Sequence, residues 1–403
     1  MLNSFPVLTE IIFNNTFVSP WEVLKCCLSH PSITSIVIQY AHVFAVHEPP
    51  SGEEIARIPL PLSTFLYVLT VWREHRLHYL GVPRTDHFAR EAKWLAALVP
   101  NLAGTVKHLD LPMETIPLRH MSELSWPELR TLSIRGRYLS EAQVDSLPSF
   151  LSTLPQLQKL SVLISRRKPL SRPPALGRIA SPSAKLSGLR ALTVAYADPE
   201  DAIFSVDTTR LSHLSLRDWP RYYHDHTYDR RLASGWARPI LRSAECLSIL
   251  KRMDMPDLSS LEVVYLADVA GSDDDLLTFI TDGFPRLAHL ELHRYRADRG
   301  EDVDYVHIAN LLKRAHSLCA VRLNLDFHDD HGPYCIAAAV REAYWSTFRD
   351  QRGPEIVGIM DACPSLEYVE LLYHGQDASR WPRFKTLRYP EPRFSDSLDP
   401  DLR

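Results

Sequence analysis

One short phrase, Pro-x-Leu-x-x-Leu-x-Leu, returns along this 403-residue chain and constrains its fold more than any other feature. The clearest copy, Pro-Arg-Leu-Ala-His-Leu-Glu-Leu, occupies 285–292. Full copies also lie at 127–134, 155–162, 256–263 and 364–371, and weaker copies at 8–13, 33–38, 62–67, 106–111, 189–194, 211–216, 318–323 and 384–389. A phrase that returns every ~20–50 residues is the sequence signature of a solenoid.

The spacing of the leucines predicts a parallel strand in each copy. Leu290 and Leu292 stand two residues apart, so their side chains point to the same face of a strand, and Leu287 reaches the same interior from the preceding turn. One such strand is unstable alone, whereas stacked parallel copies share an apolar spine. We therefore expect burial of the apolar positions in the full copies: Leu129, Leu132, Ile134, Leu157, Leu160, Val162, Leu287, Leu290, Leu292, Leu366, Val369 and Leu371.

Prolines stand two residues before the first apolar position of many copies. Because proline cannot continue a helix and biases the preceding residue toward extended geometry, each is expected to end a helix and lead the chain into the next strand. These prolines are Pro6, Pro31, Pro127, Pro155, Pro256, Pro285, Pro364 and Pro382.

Amphipathic stretches between the copies predict helices. Trp21, Leu24 and Leu28 fall at helical spacing, residues 86–98 carry an apolar stripe, and Ser140 begins a capping box that opens a helix to about residue 151. Further helices are expected at 240–252, 272–281, 306–315, 334–348 and 355–362, and a loop at 42–57. The alternation predicts an α/β solenoid, a horseshoe with parallel strands on the concave face and helices on the convex face. We expect one irregular domain over 1–390 and a polar tail at 391–403.

The stretch 166–185 interrupts the repeat and is predicted to be a basic Pro/Ser-rich loop. It holds six basic residues, four prolines and no acidic residue. A solvated linker explains this composition, and three functional interpretations stay open: a nuclear-import signal, an anion-binding finger, or phosphorylation at Ser181.

Composition gives little reason to expect nucleic acid or a membrane as a partner. The formal net charge is −4, no run of about 18 apolar residues occurs, and the N-terminus has no signal-peptide pattern. The six cysteines show no Cys-x-x-Cys spacing, so we interpret them as reduced thiols and predict a cytoplasmic or nuclear protein.

Candidate chemical motifs are weak. His224-Asp225-His226 and His328-Asp329-Asp330-His331 lack the flanking spacing of a zinc site, and Asp273–Asp275 suits a helix start. No phosphate loop, nucleophile elbow or His-Glu-x-x-His motif occurs. We predict no catalytic residues, no cofactor and no metal, and hence no enzyme.

The repeated phrases resemble leucine-rich repeats, and the irregular repeat length, Pro-x-Leu starts and aromatic excursions resemble the divergent repeats of fungal F-box proteins. In that family an F-box docks a ubiquitin-ligase scaffold and the repeats capture the substrate. Two features depart from the family. The usual Asn or Cys ladder positions hold Arg137, Trp219, Tyr295, Asp326 and His374, and no F-box is visible before the first repeat. We expect either a truncated gene model, with poor solubility as given, or a stand-alone repeat protein.

The resemblance implies a non-catalytic protein-recognition module, and within the family this would be the substrate-binding repeat region of an F-box-type ubiquitin-ligase adaptor. Its partners would be an unidentified protein and, if an upstream F-box exists, the ligase scaffold. Residues that flank the core leucines in the C-terminal strands are predicted to face a partner on the concave side: His213, Arg217, Glu262, His289, Glu291, His293, Arg322, Asn324, Tyr368 and Glu370. Two alternatives stay open, an enzyme with its site in the aromatic and His-rich segment 219–236, and a purely structural repeat protein.

Overall fold

In the computed structural model, the chain folds into two compact units. The first comprises Met1–Arg166, Pro173–Thr193 and Glu200–Asp207, and the second Arg167–Arg172, Val194–Pro199 and Thr208–Arg403. The structure describes residues 7–14, 18–41, 45–47, 51–56, 58, 60–69, 84–138, 141–167, 172, 174–178, 186–219, 221, 223, 236–237, 239–268, 272–298, 300–332, 335–376, 379–386 and 397–398.

Strands alternate with helices in the first half of the chain, as the repeat predicts. In chain order the elements up to residue 207 are β1 Glu10–Asn14, β2 Val18–Pro20, α1 Trp21–Leu28, β3 Ser35–Ala41, β4 Ala45–His47, α2 Gly52–Ala56, β5 Thr64–Leu69, α3 Arg84–Leu102, β6 His108–Pro112, α4 Leu118–Ser122, β7 Thr131–Arg137, α5 Glu141–Leu151, β8 Lys159–Arg167, β9 Ala191–Ala195 and a 3₁₀ turn at Ala202–Ser205.

The same alternation continues in the second half. The elements from residue 208 on are β10 His213–Arg217, β11 Trp236–Ala237, β12 Leu241–Arg242, α6 Ser243–Arg252, β13 Ser260–Leu266, α7 Ser272–Gly283, β14 His289–Tyr295, α8 Tyr305–Leu312, β15 Ala320–Asn324, α9 Ala338–Thr347, a π turn at Phe348–Arg352, α10 Gly353–Met360, β16 Tyr368–Leu371, β17 Tyr373–His374, β18 Ser379–Trp381, β19 Arg383–Lys385 and β20 Ser397–Leu398.

Each unit contains its own run of parallel strands. In the first unit the order is β1-β3-β5-β6-β7-β8, and every neighbouring pair is parallel. In the second unit the order is β10-β13-β14-β15-β16-β19, parallel except for the last pair. These strand–helix units confirm the predicted α/β class and are consistent with a leucine-rich-repeat-like solenoid. The single-domain boundary at 1–390 stays a prediction.

The prolines start tight turns. In the copy at 284–287, the amide of Leu287 donates to the carbonyl of Phe284 at 3.1 Å, which places Pro285 second in a four-residue turn. Pro364 has the same place, because the Leu366 amide donates to the Cys363 carbonyl at 3.3 Å. Proline favours this position because its fixed φ matches the turn. The prolines therefore set the angle at which the chain enters each strand.

A backbone ladder joins the strand starts within each unit. The carbonyl before one strand accepts from two successive amides of the next repeat: Ser259 O accepts from Ala288 N and His289 N, both at 2.9 Å. Ala288 O then accepts from Cys319 N at 2.8 Å and Ala320 N at 3.1 Å. The same pairing links Thr9 to residues 34 and 35, and Gln158 to residues 190 and 191. Because only main-chain atoms take part, the ladder tolerates the divergent side chains of these repeats.

The predicted core residues are buried. Leu287 and Leu292 are fully buried, and the other apolar positions named for the full copies have at most 5% exposure. The helices contribute matching apolar faces, for example Cys246, Ile249 and Leu250 of α6.

Several local predictions need correction. The last copy of the phrase was expected to be parallel, but β19 pairs antiparallel with β16. The loop expected at 42–57 contains β4 and α2. The helix from the apolar stripe is longer than predicted, Arg84–Leu102, and includes Pro100. The capping box stays a prediction, because Ser140 lies outside the described residues; Gln143 Nε2 donates to the Met113 carbonyl at 2.8 Å. Among the described residues, no helix combines the length and apolarity that crossing a membrane requires.

Candidate functional site

The strand register of the second unit arranges the predicted partner-binding residues in rows. The strand-start row contains His213, Ser260, His289, Ala320 and Tyr368, each the first residue of its strand, and continues to Lys385, the last residue of the antiparallel β19; these are successive register partners. Two positions away in the register lies the charged row, Glu262, Glu291, Arg322, Glu370 and Arg383. Alternate residues of a strand share a face, so both rows lie on the face opposite the buried leucines.

Arg221 neutralises two carboxylates of the charged row. Its Nη1 lies 2.7 Å from Glu262 Oε1 and its Nη2 lies 3.0 Å from Glu291 Oε1. Nη1 also donates to Asp218 at 3.2 Å. Ser215 donates to the other oxygen of Glu262 at 2.6 Å. Glu262 and Glu291 are register partners, so their negative charges would repel each other. The Arg221 side chain, only 5% exposed, lies between them and offsets this repulsion.

Glu370 is held from both sides by arginines. Arg322 Nε donates to Glu370 Oε2 at 2.6 Å, and Arg383 donates to Oε1 from Nε at 2.9 Å and from Nη2 at 2.7 Å. The Glu370 side chain is fully buried, while each arginine is 30% exposed. The Arg383 guanidinium also lies 3.8 Å from the Tyr368 ring centroid. The pairing lets a buried carboxylate keep its charge.

The pKa values of Glu262, Glu291 and Arg221 are shifted from their ordinary values within this network. Burial by itself raises the pKa of Glu262, but the positive charges of Arg217 and Arg221 outweigh burial, so the net pKa lies well below the ordinary value. Glu291 is also lowered in pKa, against burial and the repulsion from Glu262, by its bond to His293 and by Arg221. Burial by itself lowers the pKa of Arg221, but the negative charges of Glu262 and Glu291 outweigh burial, so the net pKa lies well above its ordinary value. These groups are therefore charged at neutral pH.

An aromatic layer covers the row. Tyr223 and Trp381 are buried with Val264, Tyr295 and Leu372 in one cluster. His293 is fully buried between the first two rings: its centroid lies 6.1 Å from Tyr223 and 5.5 Å from Trp381. Its Nε2 lies 2.8 Å from Glu291 Oε1. Residues outside the repeated phrase thus close the strand face.

This cover corrects the prediction that the whole face is open to a partner. Glu262, His293 and Glu370 are buried, with Arg221, Tyr223, Trp381 and Arg383 lying against them, and Asn324 is buried as well. Of the other predicted residues, His289 is exposed, and His213, Arg217, Glu291, Arg322 and Tyr368 are half-buried. Partner binding by these residues stays a prediction.

One cluster of the row has the spacing of a metal site. Ligand atoms of Glu262, Glu291 and His293 lie within 4.8 Å of one another. Arg221 already contacts both carboxylates, so a cation there would have to displace a buried guanidinium that neutralises the same charges. The donor set therefore fits an ion-pair network better than a metal.

Residues of the weaker motifs form local ion pairs in loops and at helix starts. Asp329 forms a bidentate ion pair with Arg352, with N–O distances of 2.8 and 2.9 Å. His328 Nδ1 lies 3.2 Å from Asp302 Oδ1. Asp273 pairs with Arg294 at 2.7 Å. His224 to His226 lie outside the described residues. In the basic loop, Arg172 donates to both carboxylate oxygens of Glu245, at 2.7 and 3.0 Å.

Sequence reasoning missed the residues that close the face. Arg221 and Tyr223 lie in the aromatic segment that was set aside as an alternative enzyme site, and most of 219–236 lies outside the described residues. Trp381 and Arg383 flank Pro382 of the last copy. The signal available in the sequence was that glutamates stand at equivalent strand positions in several repeats. Buried carboxylates need positively charged partners, which had to come from other segments of the chain.

No protein-family model matches this chain, and no curated protein matches it. The fold and the site together define an α/β repeat protein with a buried ion-pair row on its strand face.

Proposed function

We propose that this chain is a non-catalytic protein-recognition module and that the strand-start row of its second unit contacts the partner. The supporting observation is that the same strands carry both exposed side chains, in the strand-start row, and side chains held by ion pairs, in the charged row. His289, at the start of β14, and Lys385, at the end of β19, are exposed, and the charged row two positions away on the same strands is fixed by ion pairs. Side chains on rigid strands lose little conformational freedom on binding, which favours recognition.

The enzyme hypothesis receives less support from the same geometry. The convergent groups near segment 219–236 are Asp218, Arg221, His293 and Tyr295. Arg221 binds Asp218 and both glutamates, and His293 binds Glu291, so these groups are engaged with one another in ion pairs. Mutual ion pairing of this kind also occurs in structural networks and is weak support for catalysis.

A finer proposal follows from the resemblance to leucine-rich repeats of fungal F-box proteins. In that case the partner is a protein selected for ubiquitination, and the chain works in the cytoplasm or nucleus. Recovery of ubiquitin-ligase scaffold subunits with this chain would support the finer proposal. Their absence would leave only the general proposal of a protein-recognition module.

The test compares two matched double variants in affinity purification with mass spectrometry. His289→Ala with Lys385→Ala removes the two exposed side chains of the strand-start row, and His316→Ala with Lys251→Ala removes exposed residues of the same types elsewhere in the second unit. Arg217 and Arg322 are left intact because they pair with buried glutamates. We expect partners to be lost from the first variant and retained by the second. Retention by both, with unchanged circular dichroism, would refute the proposed surface.

A further inference from the structure

The first unit presents a line of basic side chains at the starts of four successive strands. Lys107 and His108 stand at the start of β6, Arg130 before β7, Lys159 at the start of β8, and Arg190 before β9. We call this set the cationic strip. His108 is in register with Thr131, and Thr131 with Lys159. The backbone ladder fixes the others: Arg130 N donates to Lys107 O at 2.9 Å, and Arg190 N to Gln158 O at 2.7 Å.

The side chains of the strip are accessible. Lys107, His108, Arg130, Lys159 and Arg190 are all exposed. Within the part of the chain that the structure describes, Lys107, Arg130 and Lys159 form no ion pair. Cations in comparable turns of the second unit differ, since Arg286 pairs with Asp257 and Arg314 with Asp282.

The charges of the strip act together. Burial lowers the pKa of His108, and the positive charges of Lys159, Arg130 and Lys107 lower it further. Three cations from three strands therefore raise the electrostatic potential at one site. A surface of this kind attracts an anionic partner and accelerates its association at low ionic strength.

We propose that the cationic strip binds an acidic peptide segment of a partner protein. This surface uses none of the residues assigned to the strand-start row of the second unit, so either surface can fail without the other. Neighbouring strands are ~4.8 Å apart, so four strand starts span ~14 Å, the length of about four extended residues. The side chains of Lys and Arg reach carboxylates spaced along such a segment, and the half-buried hydroxyl of Thr131 lies between His108 and Lys159 in register.

The limits of the strip favour a short peptide over nucleic acid. The same strand-start positions hold Glu10 on β1, Ser35 on β3 and Thr64 on β5, so the positive line ends at β6. The whole chain carries a net charge of −4. Affinity for nucleic acid grows with the number of phosphates contacted, and a line this short contacts few.

The test uses a fluorescein-labelled octaglutamate peptide and fluorescence anisotropy on the full chain. The strip variant carries Lys107→Glu, Arg130→Glu and Lys159→Glu. The control variant carries Arg90→Glu, Lys93→Glu and Arg119→Glu, which reverse three exposed charges on α3 and α4 of the same unit. We expect the control to bind like the wild type, the strip variant to bind at least about tenfold more weakly, and wild-type binding to weaken between about 0.05 and 0.3 M salt.

Three outcomes would overturn the proposal. The strip variant binds octaglutamate as well as the wild type, both variants lose binding equally, or a labelled oligothymidylate of equal charge binds the strip more tightly than the peptide. The last result would assign the strip to nucleic acid. Should charge reversal impair folding, as judged by circular dichroism, the Lys107→Gln, Arg130→Gln and Lys159→Gln variant replaces it, with Gln at the control positions, and the same three outcomes apply.

Discussion

Arg383 Nη2 lies 2.7 Å from Glu370 Oε1, and this contact joins the last strand of the sheet in the second unit to a fully buried carboxylate of its neighbour. β19 is also the one strand in that run that pairs antiparallel, so Arg383 comes from a chain reversal and not from a repeat. A carboxylate at the end of a sheet face is thereby neutralised by the element that closes the sheet.

The first prediction concerns this pair. Arg383→Ala should lower the unfolding free energy by ~2 kcal/mol or more, because Glu370 stays buried with Arg322 as its remaining partner. Adding Glu370→Gln to Arg383→Ala should recover part of the loss, since no buried charge is then left short of a partner. Urea titrations of both single variants and the double variant measure this coupling.

Lys385→Ala is the matched control, because Lys385 is exposed on the same strand. It should leave stability unchanged within ~0.5 kcal/mol. Equal losses for Lys385→Ala and Arg383→Ala would mean that strand pairing, and not the ion pair, determines the stability of this end.

A second prediction tests how closely α10 approaches β19. A Cβ added at Gly353 would overlap the Phe384 ring, whereas a Cβ at Gly358 of the same helix meets nothing within 4 Å. Gly353→Ala should therefore destabilise by ~1–3 kcal/mol, and Gly358→Ala should stabilise by up to ~1 kcal/mol through helix propensity. Thermal unfolding measures both. A neutral Gly353→Ala would show that β19 shifts without loss.

The third prediction is a stabilising change in the first unit. Asp110 is buried beside Arg135 at 2.9 Å, and burial raises the pKa of its carboxyl to about 6. The folded chain therefore holds a proton that the unfolded chain releases between pH ~4 and 6, so this group lowers stability as pH rises through that range. Asp110→Asn should raise the unfolding free energy at pH 7.5 by ~1–3 kcal/mol and leave it little changed at pH 4.

Asp257→Asn is the control for that experiment. Its side chain is 52% exposed, so the same chemical change should have almost no effect at either pH. A loss of stability in Asp110→Asn at pH 7.5 would show that the pair with Arg135 outweighs burial.

The fourth prediction concerns Glu262, whose contribution to stability depends on pH in the opposite direction to that of Asp110. Because Arg217 and Arg221 hold the pKa of Glu262 below its ordinary value, Glu262 contributes stability that is present above the unfolded pKa near 4.5 and is lost as pH falls. Glu262→Gln should destabilise the chain by ~2–4 kcal/mol at pH 7 and make its stability less dependent on pH below ~4.5. Urea midpoints measured across pH 3–7 report both effects. An unchanged acid dependence would assign acid unfolding to other carboxylates.

The local elements followed from residue spacing. The Pro-x-Leu-x-x-Leu-x-Leu phrase specified both a turn and a strand, because a proline suits the second turn position and leucines two apart share a strand face. Helices followed from apolar stripes, for example at Arg84–Leu102, since one buried face is enough to define an amphipathic helix. Burial of Leu290 and its equivalents needed no knowledge of which strand lies beside which.

The chemistry of the strand face needed the tertiary structure. The sequence by itself determined that Glu262, Glu291 and Glu370 stand at equivalent strand positions and point away from the leucines. Only the folded chain decided that Arg221 lies between the first two and Arg383 against the third, and that Tyr223 and Trp381 cover them. The physical reason is that strand spacing sets the direction of a side chain, whereas its charge partner and its solvent are supplied by segments distant in sequence, here 70 residues away for Arg221 and Glu291.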